Sequence, residues 1–251
     1  MGHIYSDTFF DYIDEGARAS ARRMIETVQP WLGARSVADF GAGRGVWLAE
    51  WRAAGAPDVC GIDGDYITRN ALSIPKDRFV SADLTQPVDL GRRFDLAQSL
   101  EVGEHLPRSA ARTLVRSLTS ASDRVLFSAA VTGQGGECHI NEQPLSFWQA
   151  LFADCGYAAF DCVRPVLRND RSVEPWYRYN TVLYANAQGR KELPLDVLAS
   201  EVPDGTPLTN GGNALWRVRR GVVQMLPRGT VTWIAQRRAA VLARQARSRL
   251  A

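Results

Sequence analysis

The stretch that decides the fold of this 251-residue chain reads Val37-Ala38-Asp39-Phe40-Gly41-Ala42-Gly43-Arg44-Gly45. Its first residues are typical of a short buried strand, its glycines of a tight turn, and the following Val46-Trp47-Leu48 of the start of a helix. Glycine lets the backbone turn sharply and lets a ligand approach the main chain. The amides of the first helical turn then face a cleft at the end of the strand. The stretch therefore predicts a ligand-binding turn.

The spacing of the glycines separates two kinds of cofactor. A dinucleotide fingerprint requires a third glycine at position 46, where this chain has Val46. Asp39 stands two residues before the first glycine, and an acid followed by G-x-G-x-G resembles motif I of the class I S-adenosylmethionine-dependent methyltransferases. The resemblance implies that Asp39, Gly41, Ala42 and Gly43 bind S-adenosylmethionine. A glycine-rich turn that serves structure alone is the alternative.

A second acid supports the same family. A strand is predicted over 58–63, and its last residue, Asp63, lies 24 positions after Asp39. That interval is the one expected for an acid that binds ribose hydroxyls across one β-α-β unit. We therefore expect Asp63 and Gly64 to contact the cofactor, while a turn-forming aspartate before Gly64 is the alternative.

The segments that follow two further predicted strands resemble the corresponding segments of the same family. The strand over 79–82 ends in Asp83-Leu84, where the resemblance implies an acid for the adenine amino group and an amide that reaches the ring. The strand over 94–100 leads into Glu101-Val102-Gly103-Glu104-His105-Leu106-Pro107. With Ser99, this segment resembles the S-x-E-x-x-E-H-L-P turn of many small-molecule methyltransferases. The resemblance implies that Ser99 and Glu101 lie at the cofactor.

The alternation of strands and helices predicts an α/β fold. We expect a doubly wound, seven-stranded, mostly parallel sheet of the Rossmann-like methyltransferase type, with an N-terminal helix over 6–29 that Pro30 and Gly33 end, and a C-terminal helical extension. Strands are also predicted over 36–40, 124–130, 158–163 and 177–185, the last antiparallel by resemblance. Helices are predicted over 45–54, 108–120 and 146–154.

The expected parts of the chain are an N-terminal cap helix (1–30, with Tyr5, Phe9, Phe10 and Tyr12 as a cover), a cofactor-binding domain (31–187), and a linker with a basic extension (188–251).

Composition sets limits on the class of protein. The hydrophobic fraction is 45%, ordinary for a globular protein. No run approaches the roughly 18 apolar residues that a membrane helix needs, and the N-terminus lacks a signal-peptide pattern. We expect a cytoplasmic protein without a membrane partner. Four cysteines without C-x-x-C spacing argue against metal knuckles and predict free thiols: Cys60, Cys138, Cys155 and Cys162.

The C-terminal segment is strongly basic. Nine arginines and no acid occur from Arg217 to Ala251, which leaves the first 216 residues with 21 basic and 27 acidic groups. Such a segment suits an anionic ligand, nucleic acid or an acidic partner, and we favour instead a solvated helix lying on the acidic body. Nucleic acid is not expected as a partner. Ile234, Val241 and Leu242 suggest a homodimer contact.

Methyl transfer to a hydroxyl requires a base. Of the three histidines, His139 lies in a long glycine-rich loop between Glu137 and Glu142, and carboxylates orient a histidine and raise its proton affinity. We expect His139 to be the general base, supported by Glu142, with His105 as the other candidate and structural roles for both left open. A divalent metal is also open, with Glu101, Glu104, Glu137 and Glu142 as oxygen donors and no assigned ligand set.

The acceptor is suggested by resemblance alone. The loop over 133–143 and the segment Trp176-Tyr177-Arg178-Tyr179-Asn180 resemble a bacterial saccharide and small-molecule O-methyltransferase subgroup. We expect methylation of a hydroxyl on a sugar, an oligosaccharide or a small metabolite, with Trp176, Tyr177 and Tyr179 stacking on sugars and Arg164, Arg168 and Arg171 binding anionic groups. Alternatives are a small-molecule or peptide N-methyltransferase, a NAD-type protein, a nucleic-acid methyltransferase, and a cofactor-binding regulator without activity.

Overall fold

The apolar runs predicted as strands form the centre of the molecule. The computed structural model describes residues 7–68, 71–227 and 229–237, with side chains from residue 16 onward. Its seven strands lie in the order β3-β2-β1-β4-β5-β7-β6, and every pair is parallel except the two that β7 makes with β5 and β6. The predicted doubly wound, mostly parallel sheet is confirmed. The strands are β1 (Ser36–Phe40), β2 (Asp58–Asp63), β3 (Phe79–Ser81), β4 (Leu96–Leu100), β5 (Arg124–Ser128), β6 (Ala158–Phe160) and β7 (Val182–Ala185).

Helices cover both faces of the sheet. One apolar core lies beneath the first two helices and buries Met24, Ile25 and Trp51, while the other lies beneath the third and fourth and buries Leu114 and Trp148. β4 and β5 are buried at every residue, which is why they read as continuous apolar runs. The helices are α1 (Asp7–Leu32), α2 (Val46–Ala53), α3 (Ala111–Ala121), α4 (Leu145–Ala153), α5 (Val163–Leu167), α6 (Pro175–Asn180), α7 (Leu195–Leu198) and α8 (Ala214–Gln224), and residues 229–237 are helical as well.

The strand predicted over 177–185 is wrong in its first half. Pro175 occupies the first turn of α6, where a missing N–H costs nothing, and the Glu174 carbonyl accepts from the amides of Tyr177 and Arg178, both at 3.1 Å. Only 182–185 form β7, and these pair antiparallel as expected. The strand predicted over 158–163 is also too long, because Val163 begins α5.

Three other predicted boundaries need correction. α1 runs through Pro30 to Leu32, where the left-handed Gly33 (φ 54°) ends it and donates to the Gln29 carbonyl at 2.8 Å. Proline removes a single hydrogen bond near the helix end, and burial of Leu32 in the core favours the extra turn. The strand predicted to 130 ends at Ser128, and the strand predicted from 94 begins at Leu96.

The segment predicted as a linker packs on the body. It holds a 3-10 turn (Gly189–Glu192) and α7, and it buries Leu193, Val197 and Leu208. The division of the chain at 30 and 187 stays a prediction. The predicted aromatic cover lies outside the described side chains, as do Val241 and Leu242, while Ile234 is exposed and the homodimer stays a prediction. Among the described helices, none is long and apolar enough to cross a bilayer.

Candidate active site

The glycine turn after β1 is held against β2. The amides of Gly41 and Ala42 both donate to the Ile62 carbonyl, at 2.7 and 3.1 Å. Gly41 has a φ of 90°, and a Cβ there would overlap the side chain of Val102. Gly43 (φ 54°) has open space on its Cβ side, so its main chain is free for a ligand to approach. Glycine is required at 41 because a side chain there would overlap Val102, and glycine at 43 leaves the main chain open to a ligand.

Asp63, at the end of β2, is bonded to this turn. Its Oδ2 accepts from the Gly43 amide and its Oδ1 from the Gly64 amide, both at 2.7 Å, and the Tyr66 hydroxyl also donates to Oδ1. Burial raises the pKa of Asp63, and these three donors oppose the rise. The carboxylate stands where the ribose acid was predicted. A tyrosine hydroxyl is bonded to it in the way that a sugar hydroxyl would be.

Asp39 lies buried at the end of β1, beneath the turn. Burial raises its pKa to about 7, the Gln98 side chain opposes this effect, and the nearby charge of Asp63 adds to it. Gln98 is itself held by a hydrogen bond from Trp51 Nε1 to its Oε1 at 2.8 Å. Two acids therefore lie beside the turn, and burial disfavours the charged form of both.

Three other predicted cofactor residues lie at the same edge of the sheet. Asp83 is exposed and accepts from the amide and the hydroxyl of Thr85, at 2.9 and 2.8 Å, while Leu84 is buried beside it. Ser99 is fully buried, and its hydroxyl donates to the Phe40 carbonyl at 2.8 Å. The Ser99 side chain therefore joins β4 to β1, directly before the glycine turn.

The turn after β4 begins with a strained glutamate. Glu101 has a φ of 57°, and its amide donates to the Ser128 carbonyl at 3.0 Å. Its Oε2 accepts from Gln134 Nε2 at 2.7 Å, whereas its buried Oε1 has no partner among the described residues. Burial raises the pKa of Glu101, and the Gln134 hydrogen bond opposes this. Backbone strain held in place by hydrogen bonds is a common feature of functional sites.

Glu104 and His105 follow, buried and with unused polar atoms. Both carboxylate oxygens of Glu104 and the Nδ1 atom of His105 lack a hydrogen-bond partner within the part of the chain that the structure describes. Burial, with the neighbouring Glu101 carboxyl, raises the pKa of Glu104 well above its usual value. Burial, with nearby His139, lowers the pKa of His105 to about 3. Buried atoms of this kind normally have partners, so these are available to a ligand.

The loop after β5 brings His139 to the same place. Its Nδ1 lies 2.8 Å from Glu142 Oε1, and its ring centroid lies 5.0 Å from that of His105. The amides of Gly133 and Gly135 donate to the two Glu142 oxygens at 2.8 and 2.7 Å. Burial alone would raise the pKa of Glu142, but His139 and these amides lower it. The predicted histidine–carboxylate pair is therefore present, with its carboxylate ionised.

Two backbone hydrogen bonds fix the loop to the β4 turn. The amides of Ile140 and Asn141 both donate to the Glu104 carbonyl, at 2.9 and 3.0 Å, and Asn141 Nδ2 donates to the Gly103 carbonyl at 3.1 Å. His105 and His139 are brought together by these contacts, although 33 residues separate them in the chain.

One group of residues at the site fits a divalent metal, and it includes only one of the four glutamates named as possible donors. One ligand atom from each of Glu104, His105 and His139 lies within 4.8 Å of the other two. Glu142 is instead engaged with His139, and Glu137 accepts from Gln236 at 3.1 Å, so these two acids lie outside the cluster. Two histidines and a carboxylate form a set that suits a divalent transition metal.

Sequence reasoning missed Gln134 and Asn180. Asn180 Nδ2 donates to Gln134 Oε1 at 2.7 Å, and Gln134 in turn donates to Glu101, so a chain of buried amides ends on that carboxylate. The only sequence signal was the position of Gln134 within a glycine-rich loop. Its partners lie 33 and 46 residues away in the chain.

The aromatic and arginine residues assigned to the substrate differ in exposure. Tyr177 and Tyr179 are buried, and their rings lie 5.0 Å from Trp47 and 5.8 Å from Trp216. Arg164 is buried in a double hydrogen bond with Asp161, both distances being 2.7 Å, whereas Arg168 and Arg171 are exposed. Tyr179 also lines an open pocket of about 310 Å³ together with Trp216. The sugar-stacking role of these aromatic residues stays a prediction.

An open cavity of about 270 Å³ lies between the His139 loop and the C-terminal helices. Its walls include His139 and Glu142 from the loop, and residues of α8 and of the following helical segment. The β4 turn connects the glycine turn with this loop, because its Val102 contacts Gly41 and its Glu104 carbonyl accepts from the loop.

Comparison with known proteins agrees with this arrangement. A family model described as a methyltransferase domain matches residues 9–177. DesVI of Streptomyces venezuelae is similar in fold, at 14% identity and a TM-score of 0.54 over 71% of this chain and 97% of that one. The magnesium protoporphyrin IX methyltransferase ChlM of Synechocystis PCC 6803, with bound S-adenosylhomocysteine, gives 19% identity and a TM-score of 0.53 over 74% and 90%.

A further match covers a smaller share of both chains. The chain spans 54% of the glycopeptide N-methyltransferase MtfA, at 20% identity and a TM-score of 0.39 over 45% of this chain. No curated protein sequence matches the chain. The family model covers most of the sheet and the whole glycine turn. The chain therefore belongs to the methyltransferase-domain family, and it is an S-adenosylmethionine-dependent methyltransferase.

Proposed function

We propose that the protein methylates a hydroxyl group of a sugar or another small metabolite, with His139 as the general base and Glu142 as the group that positions it. The observation that carries this proposal is the 2.8 Å contact between His139 Nδ1 and Glu142 at the wall of an open cavity. A hydroxyl is too weakly acidic to attack a methyl group unaided, whereas an amine needs little help. A buried histidine–carboxylate pair therefore favours oxygen as the acceptor atom.

The hydrogen bonds of Glu142 define the tautomer of His139. Glu142 accepts from two backbone amides, and its lowered pKa keeps it ionised, so it acts only as an acceptor. Nδ1 of His139 must then carry the proton, and Nε2 has the free lone pair. His105 has a pKa lowered to about 3 and is a poor base near neutral pH. His139 is therefore the better candidate for the base, because Glu142 holds its Nδ1 and leaves Nε2 to accept the proton.

The reaction follows as an in-line displacement. Asp63 and the glycine turn would hold the cofactor, and His139 would face the acceptor hydroxyl. Bound S-adenosylmethionine would supply the methyl group. The acceptor oxygen would bond to the methyl carbon as the carbon–sulfur bond breaks, and the electron pair of the broken bond would stay on the sulfur of a neutral thioether. The hydroxyl proton passes to Nε2 of His139. Holding both reactants in line supplies much of the rate acceleration.

A metal-assisted form of the same reaction is the second candidate, favoured by the unpartnered oxygens of Glu104 and by Nδ1 of His105. Glu104, His105 and His139 would hold the ion, which would lower the pKa of an acceptor hydroxyl. Chelator-treated enzyme distinguishes the two forms. Activity that returns only with a divalent transition metal such as Mn²⁺ supports the metal, and unchanged activity supports His139 as a base alone.

The test of the base is a pair of substitutions with a matched control. His139→Ala and Glu142→Gln should each lower turnover against a panel of sugars, the first by about 10²–10⁴-fold. Glu137→Gln, in the same loop, should leave turnover within about twofold of the wild type, because Glu137 contacts only Gln236 among the described side chains. Affinity for S-adenosylhomocysteine, measured by calorimetry, should stay within twofold in all three.

One result would contradict the oxygen acceptor. If His139→Ala kept full turnover, and if an amine were a better acceptor than every sugar in the panel, the enzyme would be an N-methyltransferase. The histidine pair would then have a structural role.

A further inference from the structure

We propose that the cavity between the His139 loop and the C-terminal helices is the acceptor site, and that it takes one neutral, hydroxyl-rich ring of monosaccharide size. This inference rests on the proposed function, since it names the substrate class of that site. The cavity of about 270 Å³ is open to solvent and is large enough for a ring of monosaccharide size.

The glycines of the loop let the C-terminal helices close the cavity. A Cβ on Gly135 (φ 68°) would lie 2.9 Å from both Val223 of α8 and Val231 of the next helical segment. A Cβ on Gly133 (φ 81°) would lie 2.6 Å from the Arg220 carbonyl. Side chains at these two positions would push the helices away. The glycine-rich loop is therefore built for helix docking.

Hydrogen bonds hold α8 in this position. Arg219 Nη1 donates to the Gln134 carbonyl at 2.7 Å, and Gln224 Nε2 donates to the Thr132 carbonyl at 3.0 Å. Gln134 also donates to Glu101, so one residue connects α8 with the β4 turn. The basic segment that lies outside the matched family region thus completes the wall opposite His139.

The chemistry of the wall selects a neutral ligand. One side is apolar, with Val223, Leu226 and Val231, and the polar groups include Thr132 and Gln224. No lysine or arginine is among the described lining residues, and the Glu142 carboxylate already has three hydrogen-bond partners. A phosphate or carboxylate would meet no lysine or arginine among these described lining residues. A sugar ring offers an apolar face for the valines and hydroxyls for the amides.

Adjacent valines on α8 provide the test. Val223 lines the cavity, whereas Val222 is 55% exposed on the outer face of the same helix. Val223→Trp would fill the cavity, and Val222→Trp adds the same side chain to the outer surface. Binding of the methyl glycosides of glucose, galactose and mannose is measured by saturation-transfer NMR, with S-adenosylhomocysteine present. Glucose 6-phosphate serves as the anionic probe.

We expect at least one neutral glycoside to bind the wild type and Val222→Trp equally, and to bind Val223→Trp at least tenfold more weakly. Val231→Phe repeats the test from the second helix, and unchanged calorimetric affinity for S-adenosylhomocysteine shows that each variant is folded. The assignment is overturned if no glycoside binds the wild type, if Val223→Trp binds as well as Val222→Trp, or if glucose 6-phosphate binds more tightly. Full turnover in His139→Ala would overturn the proposed function and leave this binding result standing.

Discussion

Asp39 is a buried acid whose charge is unfavourable in the folded protein. Burial raises its pKa to about 7 from an ordinary value of 3.8, Gln98 opposes the rise, and Asp63 adds to it. The folded state therefore holds a proton that the unfolded state releases. This contribution to stability is fully present below pH 3.8 and is lost as the pH rises through about 7.

Asp39→Asn should remove this loss of stability at rising pH, because asparagine does not titrate. Each pKa unit is worth about 1.4 kcal/mol. Between about pH 4 and 7, the free energy of unfolding of the variant should therefore rise by a few kcal/mol relative to that of the wild type. Urea unfolding at several pH values measures it, and Asp65→Asn, at an exposed aspartate two residues after Asp63, is the control. Equal pH dependence in Asp39→Asn and the wild type would show that Asp39 is not buried as a neutral acid.

Single residues of the site were predictable to different degrees. Asp63 followed from its interval after Asp39, and the pairing of His139 with Glu142 followed from three residues of separation. The bonds from Gln134 to Glu101 and from Asn180 to Gln134 could not be predicted, since each joins parts of the chain that only the folded sheet brings together. No ligand set for a metal could be assigned from the sequence, because the grouping of Glu104 with His105 and His139 depends on how the His139 loop folds back onto the β4 turn.

At the scale of elements, the glycine turn offers a direct test. Gly41 and Gly55 have nearly the same φ, 90° and 96°, so alanine meets the same backbone strain at both. At Gly41 the added Cβ also overlaps Val102, whereas at Gly55 nothing lies within 4 Å. Gly41→Ala should lower the free energy of unfolding by about 1–3 kcal/mol more than Gly55→Ala. Urea unfolding compares the two, and equal losses would mean that the contact with Val102 does not constrain the turn.

Elements with a strong local signal were predicted well. β1 and β2 have the bounds that alternation and turn residues indicated. Residues 177–180 were assigned to the start of the last strand, yet the proline at 175 was the stronger local signal and marks a helix start. In α6, Tyr177 packs on Trp47, with the ring centroids 5.0 Å apart.

At the scale of the whole molecule, hydrogen bonds to backbone carbonyls help to attach the basic segment. Arg219 and Arg220 donate to the carbonyls of Gln134 and Thr132, at 2.7 and 3.2 Å, and the charge of Glu142 also acts on Arg220. The arrangement of arginines on an acidic body that the sequence suggested stays a prediction. Hydrogen bonds to carbonyls are less sensitive to salt than ion pairs between exposed groups. The segment should therefore stay docked at high ionic strength.

The double substitution Arg219→Ala with Arg220→Ala should release α8. Hydrogen exchange measured by mass spectrometry should rise at least tenfold across 214–224, while the amides of β1, β4 and β5 keep their protection. Arg217→Ala, at an exposed position of the same helix, should change neither. Unchanged exchange in the double variant would mean that other contacts hold α8.

The central claim is that the glycine turn and Asp63 together hold the cofactor, and calorimetric titration with S-adenosylhomocysteine tests it most directly. Asp63 accepts from two backbone amides and a tyrosine, and hydrogen bonds to a charged group are worth about 1.5–3 kcal/mol. We predict one-to-one binding to the wild type and to Asp65→Ala, and an affinity about tenfold to a hundredfold lower for Asp63→Ala. No binding to the wild type, or equal affinity in Asp63→Ala and Asp65→Ala, would contradict the account.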